Sequence, residues 1–337
     1  MRAAKLGALV RDNWKKERPR RLDPSGLPGG AALLDVEAGR AWVLIDDGAV
    51  SRFGPALAWA WRQDVGELHV LVESALPAGP GAASGVVARR AAAMSNPPQV
   101  WDVRGREVFM ATPAEIVGVD SVPDLGLPGK CVADYRHVLL DHGAEPILEH
   151  GVLRGEVLGL EVARVVGDQL QVGVGRHDRR ARAEMHPDQD LGQALDDAVG
   201  AVRARRKLGQ PRHPANTLAR GRWLRAVLCA RPELVEAREL EPVAPPLPWF
   251  DLPEAGAAPA RGISSPAGTP VIVVSSVGVE LDLIPTAADS RIIHGPEADL
   301  VVVVPEGDDL PVTRALAARL AEPAEVRVVP RGWEALA

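Results

Sequence analysis

Residues 146–178 read PILEHGVLRGEVLGLEVARVVGDQLQVGVGRHD, and the reading of this stretch decides how the chain is organised. Successive side chains of a strand point to opposite faces, so a strand sorts by parity. Read as one strand from Val152 to Val166, the even positions carry Arg154, Glu156 and Arg164, and the odd positions carry Gly155, Gly159, Glu161 and Ala163. Glu161 then lies on a face of small residues. Glycine inside a strand costs stability and marks close approach of a backbone or a ligand. Gly173 and Gly175 of the next strand, 169–175, extend the same recess around Glu161. A bulge at Gly159 would break this parity.

The stretch lies between two arms of similar pattern. In the first, AWVLID, FGPALAWAWRQ, ELHVLVE, SGVVARRAAAM and PQVWDV read as strand, helix, strand, helix, strand. In the second, PVIVVSS, DLIPTAADSRII, DLVVVVP, LPVTRALAARL and AEVRVVP repeat that order. Runs as apolar as DLVVVVP suit parallel strands covered on both faces. The fold class is α/β, with two β-α-β-α-β arms flanking a central β-rich plus helical module. The expected divisions are a basic flexible arm over 1–30, an N-terminal arm over 31–125, a central αβββα-like module over 130–240, a Pro/Ala/Gly-rich linker over 241–270 and a C-terminal arm over 271–337. A weaker linker falls near 111–130.

Composition narrows the function classes. Hydrophobic residues are 46% of 337, enough for real cores and too many for a disordered chain. Aromatics are only 4%, which argues against a stacking platform for bases or sugars. Five lysines stand against 34 arginines, the bias expected of a GC-rich bacterial genome, so a single arginine carries little information. Net charge is −6, yet residues 1–22 and 203–225 are locally basic and could meet phosphates. Cys131 and Cys229 are far apart and form no CxxC pair. No run approaches a membrane span. A cytoplasmic protein is expected, with a homodimer open.

The helix 132–141, the strands that follow and the helix after 191 give the α-β-β-β-α order of metal-dependent nucleases with a PD-(D/E)xK site. The central module resembles that family in architecture. The resemblance implies that Glu149 and Glu161 hold Mg²⁺, which activates a water for phosphodiester attack. Arg164 or Arg176 would contact phosphate, His177 would assist, and Arg203, Arg205, Arg206 and Lys207 would hold the backbone. The motif departs at its lysine: Glu161-Val162-Ala163 has alanine there, and Arg164 comes one residue late. The same carboxylates also read as structural, because buried carboxylates are ordinarily paired.

Three other features carry candidate chemistry. GVGRHD, residues 173–178, is a strand-end turn in which Asp178 could cap the following helix. His137, His142 and His150 lack the HExxH spacing of a zinc site. Asp46, Ser275 and Asp282 fall at strand ends of the two arms, where open parallel sheets bind ligands. The function expected is a nucleic-acid-associated protein with a nuclease-like centre, an Mg²⁺-dependent phosphodiesterase. The competing readings are a non-catalytic scaffold or partner-binding protein and a small-ligand or nucleotide-binding α/β protein.

Overall fold

A computed structural model describes residues 2–14, 22–27, 29–46, 48–73, 83–116, 129–185, 189–210, 213–248 and 256–336. The basic run 15–21, residues 117–128 of the segment near 111–130, and residues 249–255 of the Pro/Ala/Gly-rich segment lie outside the described residues.

Helix α1 (Arg2–Asn13) precedes β1 (Leu22–Leu27), β2 (Gly30–Asp35) and β3 (Arg40–Ile45). Then come α2 (Ala49–Arg62), β4 (Glu67–Glu73), α3 (Ala83–Ala92), β5 (Gln99–Arg104) and β6 (Glu107–Met110). The centre holds α4 (Gly129–Asp141), β7 (Glu145–Glu149), β8 (Val152–Val157), β9 (Leu160–Val166), β10 (Gln169–Val172), α5 (Gly175–Met185), α6 (Leu191–Arg205), α7 (Pro214–Thr217) and α8 (Arg220–Ala230). The chain ends through β11 (Ala237–Pro242), β12 (Ala258–Ser264), β13 (Pro270–Ser275), α9 (Leu283–His294), β14 (Asp299–Pro305), α10 (Pro311–Ala317) and β15 (Glu325–Val329). The chain is α/β, as the periodicity indicates.

The chain divides into two units. The first comprises residues 1–117, 281–289 and 310–324. Its six-stranded sheet runs in the order β1-β2-β3-β4-β5-β6, with β3, β4 and β5 parallel. Alternation sorts β3: Trp42 and Leu44 meet Leu6, Leu9 and Val10 of α1 and Trp14 just after it, while Ala41, Val43 and Ile45 are buried on the side of α2 and α3. Each large apolar side chain that α1 buries contributes about 1.5–3 kcal/mol. The arm expected over residues 1–30 thus contains a docked helix and an antiparallel strand.

The second unit comprises residues 118–280, 290–309 and 325–337. It contains two sheets. One is the five-stranded sheet β11-β12-β13-β14-β15, with β13, β14 and β15 parallel. Strand β12 forms inside the segment read as a linker; its Ala258 and Ala260 are buried against neighbouring strands, which the low-complexity composition concealed. The other is the antiparallel meander β7-β8-β9-β10, with α4 and α6 packed on one face through Leu139, Leu195, Ala198 and Val199.

The two larger sheets repeat one plan. Each has two antiparallel strands followed by three parallel strands in sequential order. Each has a helix against its antiparallel part, α1 on β1–β3 and α8 on β11–β13. The spacing of the packing residues also repeats: Leu6, Leu9 and Val10 in α1, Leu224, Val227 and Leu228 in α8.

Candidate functional site

The stretch read as one strand is two. Leu158 and Gly159 adopt positive φ, 50° and 72°, and reverse the chain between β8 and β9. Two successive left-handed residues make the tight turn whose twist matches an antiparallel hairpin. Gly159 has a second reason to be glycine. A Cβ there would stand 2.2 Å from the carbonyl carbon of Arg222, in the first turn of α8. Gly155 lies instead against Leu139 of α4, and Gly173 against the backbone of Arg179 in α5. The small-residue recess inferred from parity is therefore filled by three packed helices.

The placement of Glu161 among small residues also has to be corrected. The two-residue turn sets Glu161 opposite Glu156, and the register then shifts between Glu156 and Gly155, so that Gly155 faces Ala163 and Arg154 faces Arg164. Such a bulge adds a residue to one strand and re-aims a side chain. Ala163 stays on the core side with Gly155. Glu161 swings to the face of Arg154 and Arg164, which pair with each other across the strands.

On that face lie three buried carboxylates and five arginines. Glu161, 1% exposed, accepts from Arg154 Nη1 at 2.8 Å, from Arg164 Nη2 at 2.8 Å and from Arg179 of α5. Glu156, also 1% exposed, accepts from Arg222 Nε and Arg225 Nη2, both at 2.9 Å. Glu149, fully buried, pairs with Arg222 and lies 3.5 Å from Arg225 Nη1. Arg154 Nε lies 3.7 Å from Glu149, linking the two groups. Arg222 and Arg225 are three apart on α8, so they project from one side of the helix while Leu224, Val227 and Leu228 enter the β11–β13 core.

Burial opposes the ionisation of Glu156, but Arg222, Arg225 and Arg154 outweigh it and hold its pKa below the ordinary carboxylate value. Burial pulls Arg225 down as well, and Glu156 and Glu149 more than reverse it, so its pKa lies above the ordinary value. Three carboxylates thus face five guanidinium groups, an excess of basic over acidic side chains. That excess is the reverse of a divalent-cation site, which needs a surplus of anionic oxygen. Among the described residues, no group of three or more His, Cys, Asp or Glu side chains is placed to hold a metal ion.

The other residues singled out from sequence lie apart from this face. Arg176 and His177 are exposed in the first turn of α5, while Arg179, one turn on, reaches Glu161. Asp178 caps the helix by accepting from Val174 N at 2.7 Å, from inside the first turn and not from the position before it. Arg203 donates to the Gly143 carbonyl, Arg205 contacts His213, and Lys207 is exposed. Arg206 points inward: it is 2% exposed, donates to the carbonyls of Ala215, Leu218 and Ala219 and lies over the Trp223 ring at 4.6 Å. Of the basic stretch 203–225, Arg206, Arg222 and Arg225 are therefore interior residues. His142 pairs with Asp196 at 2.8 Å, and His150 contacts the Pro245 carbonyl.

The strand-end residues of the arms are each engaged locally. Asp46 pairs with Arg2 and Arg52. Asp282 accepts from Gly54 N at 2.9 Å and Arg90 Nη1 at 2.5 Å. Ser275 is 1% exposed and donates to the Gly221 and Ala258 carbonyls. Sequential order of the parallel strands also lacks the reversal at which α/β sheets open a ligand crevice.

Sequence reasoning passed over Arg179, placed Arg154 on a strand face without a partner, and assigned Arg222 and Arg225 to a phosphate-binding stretch, whereas all four meet the buried carboxylates. A signal for two of them existed: α8 is apolar on most of its circumference, and a helix of that kind is buried, so charges within it must meet partners. No family model, curated protein or solved structure matches this chain.

Proposed function

We propose that this protein is a non-catalytic scaffold or partner-binding protein, and that its central meander is a structural module. The observation that carries this reading is the saturation of Glu161 by Arg154, Arg164 and Arg179. A metal-activating carboxylate must keep lone pairs for the ion and face solvent or substrate. Glu161 does neither, and its arginines would have to leave before Mg²⁺ could enter. The test is incubation of the protein with single- and double-stranded DNA and RNA in Mg²⁺ or Mn²⁺. No cleavage is expected. Cleavage that Glu161→Gln abolishes while the protein stays folded would overturn the reading.

A second reading concerns the partner. Arg203, Arg205 and Lys207 are exposed near the end of α6, which favours association with nucleic acid or another polyanion without chemistry. Such binding weakens steeply with salt. Triple replacement of these residues by glutamine should remove it. No binding to DNA or RNA rules this partner out, and binding unchanged by the replacement rules out this surface. On this reading the protein works in the cytosol.

A further inference from the structure

Within the first unit, a cavity of about 250 Å³ opens between the C-terminal end of α2, the first residues of β4 and β5, the 94–98 loop and α10. It belongs to neither the carboxylate cluster nor the strand-end loops. Its walls include Leu57, Trp61, Met94 and Leu316, and its polar groups include Glu67 and Arg319. The frame is preformed. Ser95 N donates to the Arg319 carbonyl at 2.8 Å, Ala321 N to the Ala93 carbonyl at 2.9 Å, and Asn96 Nδ2 to the Gly66 carbonyl at 2.8 Å.

The two charged groups keep capacity. The Glu67 side chain is 40% exposed; one oxygen receives Arg40 Nε at 2.7 Å, and the other lies 3.2 Å from His69 Nε2 and 3.5 Å from Gln99 Nε2, which leaves one acceptor position. A carboxylate offers about four acceptor positions, so Glu67 can take a further donor. Arg319 is exposed and places Nη1 on the Ala315 carbonyl at 3.1 Å, leaving the other edge of its guanidinium for a carboxylate. A cavity of about 150 Å³ takes a benzene ring. By that scale, this one takes a molecule of on the order of ten non-hydrogen atoms. A simple cation leaves Arg319 unanswered and a simple anion leaves Glu67 unanswered. An apolar molecule with both charges answers both.

We propose that this cavity binds a free α-amino acid with an apolar side chain of leucine or phenylalanine size. Its ammonium donates to Glu67, its carboxylate accepts from Arg319, and its side chain lies among Leu57, Trp61, Met94 and Leu316. The inference goes beyond the scaffold reading and does not depend on it.

The test uses the full chain with L-leucine and L-phenylalanine as probes, followed by thermal shift and by the change in tryptophan fluorescence that Trp61→Phe removes. Saturable binding is expected. Arg319→Gln, a change at an exposed side chain, should weaken it about tenfold by removing a charge-assisted contact. The amine 3-methylbutylamine and the acid 4-methylpentanoate, each with one charge, should bind about tenfold more weakly than leucine for the same reason. The proposal is overturned if neither amino acid binds at about 10 mM, if Arg319→Gln binds leucine as well as the parent, or if either single-charge analogue equals leucine. Glu67→Gln removes the Arg40 pair as well, so Arg319→Gln is the deciding variant.

Discussion

Glu156 and Glu161 are direct partners across β8 and β9, yet two like charges meet there without conflict because each is claimed by different arginines. Arg222 and Arg225 of α8 take Glu156; Arg154, Arg164 and Arg179 take Glu161. The hairpin therefore joins α8 on one side to α5 on the other. Like charges directly opposite one another destabilise a sheet when left alone.

Arg222→Met should destabilise the protein by about 3–5 kcal/mol, because it leaves Glu149 and Glu156 buried with an incomplete set of partners. Replacing Glu149, Glu156, Arg222 and Arg225 together by apolar residues of similar volume should cost far less, since a buried ion pair is often no more stable than a well-packed apolar substitute. Urea denaturation of the two variants checks both figures. Equal losses would show that the arginines act through packing alone.

Gly159→Ala is expected to cost more than the roughly 1 kcal/mol of an ordinary left-handed glycine. The added methyl strikes the backbone of α8, which cannot rotate away as a side chain can. Gly167→Ala, in the next turn with φ 62° and open space around it, supplies the control. The difference in Tm between the two variants measures the helix contact.

Acid should destabilise the first unit before it breaks the carboxylate cluster. His69 is 2% exposed, stacks on Trp42 at 5.4 Å and accepts from Trp101 Nε1 at 3.2 Å. Burial pushes its pKa down from 6.5 to about 4, against the opposing pull of Glu67. Between those values the unfolded chain holds a proton that the folded chain does not. The contribution of neutral His69 is thus complete above pH 6.5 and is lost progressively as pH falls through 4, about 3 kcal/mol in all. Glu156, whose pKa is depressed, stabilises above the unfolded carboxylate value and loses that contribution at lower pH still. His69→Phe should flatten the stability profile between pH 6.5 and 4, read by urea midpoints at each pH.

The α/β class and the strand-helix alternation of both arms could be read directly, because apolar runs such as 300–304 and the Ala/Arg-rich helices have unmistakable periods. The central hairpin could not. Leu158 is a rare residue for positive φ, so nothing but Gly159 announced the turn, and one missed turn inverts the facing of everything after it. The bulge then brought Arg164 onto the face of Glu161. The arginines were hidden for a different reason. With 34 arginines in the chain, composition made each look like surface, whereas Arg90, Arg206, Arg222 and Arg225 are each 2% exposed. The acidic partners of Arg90, Arg222 and Arg225 lie 66 to 199 residues away in sequence, beyond the reach of local pattern.

The claim that Glu149, Glu156 and Glu161 are structural is tested most directly by the thermal melt of the intact protein in EDTA and in millimolar Mg²⁺ or Mn²⁺. A cation that binds only the native state must raise Tm. The account predicts the same Tm in all three conditions. A rise of several degrees with the divalent ion, absent in Glu161→Gln, would contradict it.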